Sequence, residues 1–156
     1  MSTRLLVYSS TKKIYKAKVE KIEQVSKTSY FIEIKADEFV NVEAGQFVSI
    51  YCEGLTLRRP FSVCSNDNGK IGVLFKERGK GTKYIKSLQV GDLIDVAGPF
   101  GNTFDIQNKK ALLVGAGIGA APISYLKSKL NEKGIENFFI SGFLNKEEVP
   151  TGMQID

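Results

Sequence analysis

The chain has 156 residues, of which 42% are hydrophobic and 25% are charged, a composition typical of a globular protein with a core of its own. Its formal net charge of +5 favours anionic ligands such as phosphates, but its lysines are spread along the chain, which argues against a nucleic-acid partner. It has no histidine, which excludes histidine-based triads and leaves any chemistry to a bound cofactor or to other residue types.

The sequence shows no sign of a membrane segment or of a metal site. No apolar run is long enough to span a bilayer, and the apolar residues 5–7 precede Lys12 and Lys13, the reverse of the charge order of a signal peptide. We therefore predict a cytoplasmic protein. Cys52 and Cys64 lack a CxxC spacing, so we expect buried thiols rather than a disulfide or a metal site.

The first two thirds of the chain consist of short apolar segments separated by turn residues. Alternating or compact apolar patterns of this kind indicate strands with one buried face. We predict strands at 15–23, 29–34, 46–52, 58–62, 70–76 and 93–97. Six short strands joined by turns favour an antiparallel barrel or sandwich.

The fourth of these strands combines two arginines, a proline, an aromatic ring and a hydroxyl. Alternation places Arg59 and Phe61 on one face, and Pro60 and Ser62 on the other. Proline cannot donate to a ladder, so we expect Pro60 at a strand start or bulge, where the backbone can meet a ligand. The residue types suit a ligand with phosphates and a flat heterocycle. A solvated arginine pair beside a buried Phe is the structural alternative.

A glycine-rich loop, Arg78-Gly79-Lys80-Gly81-Thr82, lies between the last two predicted strands. Residues 83–88 follow it with the apolar spacing of a short helix. Glycines just before a helix let backbone amides approach an anion. The alternative is a flexible turn in which Thr82 caps the helix.

The pattern changes in the last third of the chain. Residues 111–114 form an unbroken apolar run, which predicts a strand buried on both faces of a parallel sheet. A glycine-rich turn follows, then a helix to about residue 133 that carries Pro122 in its first turn, then a strand at 138–143. This is one βαβ unit, of the type whose first turn cradles a pyrophosphate. Because a complete nucleotide-binding domain needs more strands and helices, we expect a chain that is truncated or completed by a partner.

Taken together, these features resemble the ferredoxin reductase-like flavoprotein superfamily, and within it the electron transfer subunits of dihydroorotate dehydrogenase B. The resemblance rests on Arg59-Pro60-Phe61-Ser62, Lys80-Gly81-Thr82, Gly98-Pro99-Phe100-Gly101-Asn102 and residues 111–122. It implies a six-stranded antiparallel FAD-binding barrel at 12–102. It also implies that residues 108–156 hold the first βαβ unit of an NAD-binding α/β domain.

The resemblance implies roles for individual residues. Arg59 would pair with the FAD pyrophosphate, Phe61 would lie against the flavin, and Ser62 would place its hydroxyl near flavin N5. The other implied FAD-binding residues are Pro60, Leu74, Phe75, Lys76, Gly81 and Thr82. The loop implied to receive NAD(H), which binds transiently, contains Gly115, Gly117 and Gly119. No residue is implied to be catalytic, because the flavin itself carries the hydride chemistry.

The function implied is electron transfer from NADH through FAD, and on to a separate catalytic subunit that converts dihydroorotate to orotate in pyrimidine biosynthesis. The family also carries a [2Fe-2S] centre on four cysteines, and this sequence has only Cys52 and Cys64, so we expect no cluster. No acid directly follows the second strand of the βαβ unit, at residues 142–146, so the preference for NADH over NADPH rests on the resemblance.

Two other functions remain open. One is a related subunit, from a transhydrogenase, a sulfite reductase or a hydrogenase diaphorase, with a different redox partner. The other is a barrel without catalytic function that only binds a partner protein, which predicts a colourless purified protein.

Overall fold

The computed structural model describes residues 14–153, which form a six-stranded barrel followed by a two-stranded sheet and its helix. The segment at 5–13 and the domain limits predicted at 12 and 156 lie outside the described residues. The barrel strands are β1 (Ile14–Gln24), β2 (Ser29–Lys35), β3 (Phe47–Ile50), β4 (Arg59–Asp67), β5 (Lys70–Lys76) and β6 (Leu93–Phe100). Between β5 and β6 lies the short helix α1 (Lys80–Lys86).

The six strands close into a ring in the order β1-β2-β5-β4-β3-β6, and every neighbouring pair is antiparallel. Closure occurs between β1 and β6, where Tyr15 lies opposite Val96. A closed barrel gives each strand a neighbour on both sides, which solves the problem of exposed sheet edges. The predicted six-stranded antiparallel barrel is confirmed.

The barrel interior is filled by the alternating apolar residues that predicted the strands. Ala17 and Val19 on β1, and Ile32 and Ile34 on β2, are completely buried. Each buried Val or Ile side chain contributes about 1.5 to 3 kcal/mol relative to exposure, so the alternation itself drives closure. Among the other fully buried side chains of the core are Val48, Ile50, Val63, Ile71, Val73, Ile85 and Val96.

The sixth strand is longer than predicted and ends at Phe100 rather than residue 97. Its last residue lies opposite Phe47 of β3, and the two rings are 5.5 Å apart. A cross-strand aromatic pair of this kind stabilises a ladder. The ladder therefore continues past Gly98 to the end of the strand.

The last third of the described chain is the predicted βαβ unit. Strand β7 (Ala111–Ala116) and strand β8 (Asn137–Gly142) are parallel neighbours, joined by helix α2 (Ala120–Glu132). A single 3-10 turn at Gly117–Gly119 connects β7 to the helix. In the part of the chain that the structure describes, neither helix is long and apolar enough to cross a membrane.

The two-stranded sheet is buried on one face only. Leu113 and Phe139 point towards α2 and are buried. On the opposite face the exposed fractions are 66% for Leu112, 64% for Val114, 52% for Phe138 and 47% for Ile140. The prediction that β7 is buried on both faces is therefore wrong for the described residues, because α2 supplies a single covering layer.

Helix α2 docks onto the barrel through a residue that the apolar spacing did not single out. The hydroxyl of Tyr125 donates to the carbonyl oxygen of Val42 at 3.0 Å, and burial raises the pKa of Tyr125 to about 12. Leu126 and Leu130 are buried on the same helix, while Ile123 is only half-buried. The βαβ unit is thus held against the barrel by a buried contact.

After β8 the chain returns to the barrel as residues 145–153, named here the return segment. The amide of Thr151 donates to the carbonyl of Val25 at 2.8 Å, and the amide of Lys27 donates to the carbonyl of Glu147 at 3.0 Å. Both bonds tie the return segment to the turn between β1 and β2. The βαβ unit is therefore anchored to the barrel at two places, through α2 and through the return segment.

Candidate functional site

A cavity opens where β4 and β5 separate. Residues 59–62 pair with β3, whereas the pairing of β4 with β5 begins only at Val63, opposite Val73. Pro60, which has no N–H to donate, lies in this stretch next to the start of the strand, as predicted. The first residues of β4 and the last residues of β5 therefore enclose a cavity of about 360 Å³.

Residues of the barrel and of the glycine-rich βα loop line this cavity together. The barrel contributes Pro60, Phe61, Ser62, Leu74, Phe75, Lys76, Arg78 and Thr82. The βα loop and the first turn of α2 contribute Ile118, Gly119, Ala121 and Pro122. Two motifs that are separated in the sequence thus face one space.

One wall of the cavity is aromatic. The ring of Phe61 meets the ring of Phe75 edge-on, with centroids 5.9 Å apart, and Phe75 stacks on Tyr30 at 5.7 Å. These contacts fix the orientation of Phe61, while the neighbouring Ser62 is exposed. A rigid aromatic wall beside an exposed hydroxyl suits a flat heterocycle with polar atoms at its edge.

A basic groove of about 270 Å³ adjoins the cavity, since Arg78 and Thr82 line both. Its other lining residues are Arg59, Gly79, Lys80 and Gly81. The Nη1 group of Arg59 donates to the carbonyl of Leu57 at 2.7 Å, which holds the guanidinium beside the groove. Three cationic side chains around so small a space suit a phosphate group.

Thr82 organises the loop at this groove. Its hydroxyl oxygen accepts the amides of Arg78 at 2.8 Å and Gly79 at 3.1 Å. Helix α1 begins at Lys80, three residues before the predicted start at residue 83, so Thr82 lies within its first turn rather than capping it. Gly79 is the N-cap of the helix.

Gly81 allows the Arg59 side chain to cross the start of α1. A Cβ atom at this position would lie 2.6 Å from Arg59 Nε and 2.8 Å from its Cγ. The carbonyl oxygen of Gly81 also accepts the Cys52 thiol, with sulfur and oxygen 3.6 Å apart, and burial raises the pKa of that thiol. A glycine is therefore needed here for close approach rather than for flexibility.

The two adjacent arginines have different surroundings. Arg58 donates to the backbone carbonyl of Asp95 at 3.0 Å, lies 3.4 Å from its carboxylate, and stacks over Tyr51 with its guanidinium carbon 5.6 Å from the ring centroid. These contacts fix Arg58 on the β3 and β6 side of the barrel. Of the two arginines, only Arg59 lines the groove.

The three glycines predicted in the βα loop have separate positions. Gly119 lines the cavity, whereas Gly115 and Gly117 do not. A Cβ atom on Gly115 would lie 2.7 Å from the Cα atom of Ala120, so this glycine permits close packing of β7 against α2. Gly117 has a φ of +51°, a conformation that glycine adopts at low cost.

Four residues that line the cavity were missing from the predicted set, namely Arg78, Ile118, Ala121 and Pro122. Arg78 opens the Gly-Lys-Gly-Thr loop, and its charge next to two glycines is a signal that could have found it. Ile118 and Pro122 reach the cavity only because α2 docks on the barrel. Nothing in the sequence indicates that the start of this helix lies beside the barrel cavity.

A second cavity, of about 270 Å³, lies beside Cys64 on the other side of Leu74. Burial raises the pKa of the Cys64 thiol to about 12, so it stays protonated and unreactive at neutral pH. Of the two free cysteines, Cys52 is buried, as predicted, whereas Cys64 is only half-buried. Within residues 14–153, the acidic residues and cysteines form no group of three or more that could hold a metal ion. The cavity between β4 and β5 is therefore the better candidate for chemistry.

Most of the chain is similar to known proteins. Residues 16–104 match the family model described as the oxidoreductase FAD-binding domain. A curated protein of Caldanaerobacter subterraneus subsp. tengcongensis, named dihydroorotate dehydrogenase B (NAD(+)), electron transfer subunit, is 38% identical over 115 residues. That match covers 67% of this chain and 47% of the relative.

A protein of the same name from Fusobacterium nucleatum subsp. nucleatum is 36% identical over 147 residues, which cover 88% of this chain and 57% of the relative. The chain therefore spans about half the length of the curated relatives it matches. Among solved structures, an NADH-dependent reduced ferredoxin-NADP oxidoreductase aligns with a TM-score of 0.81 at 26% identity. That alignment covers 88% of this chain and 52% of that protein.

Proposed function

The chain belongs to the oxidoreductase FAD-binding domain family, and from this we propose that it binds FAD between β4, β5 and α1 and passes electrons from NADH to a partner protein. The observation that carries the proposal is the continuity of the aromatic cavity with the basic groove, through Arg78 and Thr82. FAD has a flat ring system at one end of a doubly charged pyrophosphate. A cavity that adjoins a cationic groove offers complementary surfaces to both parts.

The lining residues divide between the two parts of the cofactor. The ring system fits against Phe61, with the exposed hydroxyl of Ser62 towards its polar edge and the strand Leu74-Phe75-Lys76 along one side. The pyrophosphate fits the groove at Arg59 and the Gly81-Thr82 turn, with Pro60 between the two parts. FAD, when bound, would take up hydride from NADH and release electrons to an acceptor, which supplies chemistry that none of these side chains supplies.

The βα loop is proposed as the place where NAD(H) arrives. Gly119 already lines the cavity, and Gly115 and Gly117 shape the turn that leads to it. A donor that must leave after each turnover is expected to bind weakly and transiently. We accordingly assign residues 12–102 to FAD binding and residues 108–156 to the first part of an NAD-binding domain.

We further propose that the acceptor is the catalytic subunit of a dihydroorotate dehydrogenase, in the cytoplasm, because the curated relatives are named as electron transfer subunits of that enzyme. Residues of the relatives beyond the matched half would complete the NAD-binding part. The four cysteines expected for a [2Fe-2S] centre have no counterpart in this chain. A second candidate is a ferredoxin-linked NAD(P) oxidoreductase, which the similarity to the solved NADH-dependent enzyme favours.

A visible absorption spectrum of the purified protein, incubated with FAD and then desalted, tests the proposal. We expect flavin bands that remain with the protein. Anaerobic NADH should then bleach them if this chain includes a working donor site. A colourless protein that also refuses added FAD would contradict the proposal and favour the barrel that only binds a partner.

Substituting Gly81 with alanine should weaken FAD binding by about tenfold, because the new methyl group displaces the Arg59 side chain from the groove. The matched control is Gly79→Ala, in the same loop, where a Cβ atom would meet nothing within 4 Å. The FAD dissociation constant of each variant, from fluorescence titration, checks the difference. Equal affinities in the two variants would show that the close approach of Arg59 is unimportant.

A further inference from the structure

An ion pair joins the return segment to the wall of the cavity. The ammonium of Lys76, at the end of β5, donates to the carboxylate of Glu148, which also accepts the Thr28 hydroxyl at 2.7 Å. The side chains of Lys76 and Glu148 are 19% and 10% exposed. Lys76 lines the cavity proposed for FAD, so the carboxylate lies just behind the cofactor site.

The neighbouring residue forms a contrasting pair. Glu147 and Lys27 lie 2.6 Å apart, but their side chains are 64% and 66% exposed. Exposed ion pairs contribute little, whereas removal of one partner from a buried pair leaves an uncompensated charge. Two adjacent glutamates, each paired with a lysine of the barrel, thus differ mainly in burial. Glu147 is therefore a matched control for Glu148.

The position of Glu148 connects it to the glycine-rich loop. Two residues separate the return segment from β8, and the last residue of β8, Gly142, lies opposite Ala116 at the end of β7. Ala116 in turn precedes the 3-10 turn at Gly117–Gly119, whose last residue lines the cavity. A contact that fixes the return segment on the barrel also fixes the end of the sheet from which the loop departs.

We propose that Glu148 is a positioning residue, which through Lys76 holds the glycine-rich loop in one place at the mouth of the FAD cavity and so orients the arriving NADH. This inference rests on the proposed function. The pair also balances the charge of Lys76 inside the cavity wall. Without the carboxylate, Lys76 turns towards water, and the return segment loses its most buried polar anchor.

The test compares Glu148→Gln with Glu147→Gln in the full chain loaded with FAD. Anaerobic rapid mixing with NADH, followed by flavin absorbance, gives the rate of flavin reduction. We expect this rate to fall about tenfold or more in Glu148→Gln, since a misplacement of about 1 Å can cost about a hundredfold in rate. It should stay at the wild-type value in Glu147→Gln. FAD affinity should remain close to wild type in both variants. General destabilisation of the fold would change the response to NADH and the FAD affinity together.

Amide hydrogen exchange at Lys27 and Thr151 gives a second readout that needs no cofactor. Both amides should exchange faster in Glu148→Gln than in Glu147→Gln, because they bond the return segment to the barrel. Equal exchange, or an equal rate of flavin reduction in the two variants, overturns the inference, as does FAD-loaded wild type whose flavin is not reduced by NADH. Failure of the wild type to bind FAD would instead overturn the proposed function, and the exchange comparison would still decide whether Glu148 anchors the segment.

Discussion

Replacing Arg59 with alanine is expected to lower the affinity for FAD by roughly a hundredfold while the barrel stays folded. Hydrogen bonds to charged groups contribute about 1.5 to 3 kcal/mol each, and about 1.4 kcal/mol corresponds to a factor of ten. Arg59 faces the basic groove and is only half-buried, and its alanine variant leaves the apolar barrel interior unchanged. The loss should therefore fall on the cofactor rather than on the free energy of unfolding.

The adjacent arginine is the control for this experiment. Arg58→Ala removes the same charge but breaks contacts with Asp95 and Tyr51, which belong to the barrel wall. We expect that variant to keep its FAD affinity and to unfold at a lower temperature. Fluorescence titration with FAD and thermal denaturation separate the two effects. Full FAD retention in Arg59→Ala, or an equal loss in both variants, would contradict the assignment of the groove to the pyrophosphate.

Replacing Gly115 with valine is expected to destabilise the βαβ unit by about 3 kcal/mol, at the upper end of the usual cost of overpacking. The Cβ atom would lie 2.7 Å from Ala120 Cα and 3.2 Å from its amide nitrogen. Both are atoms of the helix backbone and cannot rotate away, so α2 must separate from β7. The barrel forms its own ring of hydrogen bonds and should still bind FAD.

Chemical denaturation followed by far-UV circular dichroism measures this loss, and FAD titration checks the barrel. Gly142→Val is the matched control, because Gly142 lies at the end of β8, opposite Ala116, and a Cβ atom there would meet nothing within 4 Å. We expect its free energy of unfolding to stay near the wild-type value. A Gly115→Val variant as stable as the control would show that the close strand-to-helix contact can relax without loss.

The barrel could be predicted from sequence because each strand signals itself locally. Apolar residues at every second position both indicate a strand and show which of its faces points inward. That Arg59 and Phe61 share one face therefore follows from their spacing alone. The burial along β4 keeps that alternation, with Arg59 and Phe61 half-buried and Pro60 and Ser62 exposed. The separation of β4 from β5 could not be predicted, since it depends on where two strands begin to pair.

Features that depend on contacts between residues far apart in the sequence could not be predicted either. The apolar run of β7 indicates a strand but not how many layers cover it, and Leu112 and Val114 are exposed as a result. Likewise Glu148 and Lys76 are far apart in the sequence and meet only because the return segment reaches the β1–β2 turn. Adjacent arginines look alike in sequence, whereas pairing of β3 with β6 places Asp95 beside Arg58 alone.

The closure of the barrel between β1 and β6 also has a consequence for biosynthesis. Strand β1 pairs with one strand on each side, and its second partner is β6, which ends at Phe100. Because β1 leaves the ribosome long before β6 is made, one of its edges is unpaired at that stage. Contacts between residues so far apart form late, and barrels of this kind refold on the order of milliseconds to seconds. Until the sixth strand emerges, a nascent chain exposes a pairing edge, so we expect the protein to aggregate more readily during synthesis than after the barrel has closed.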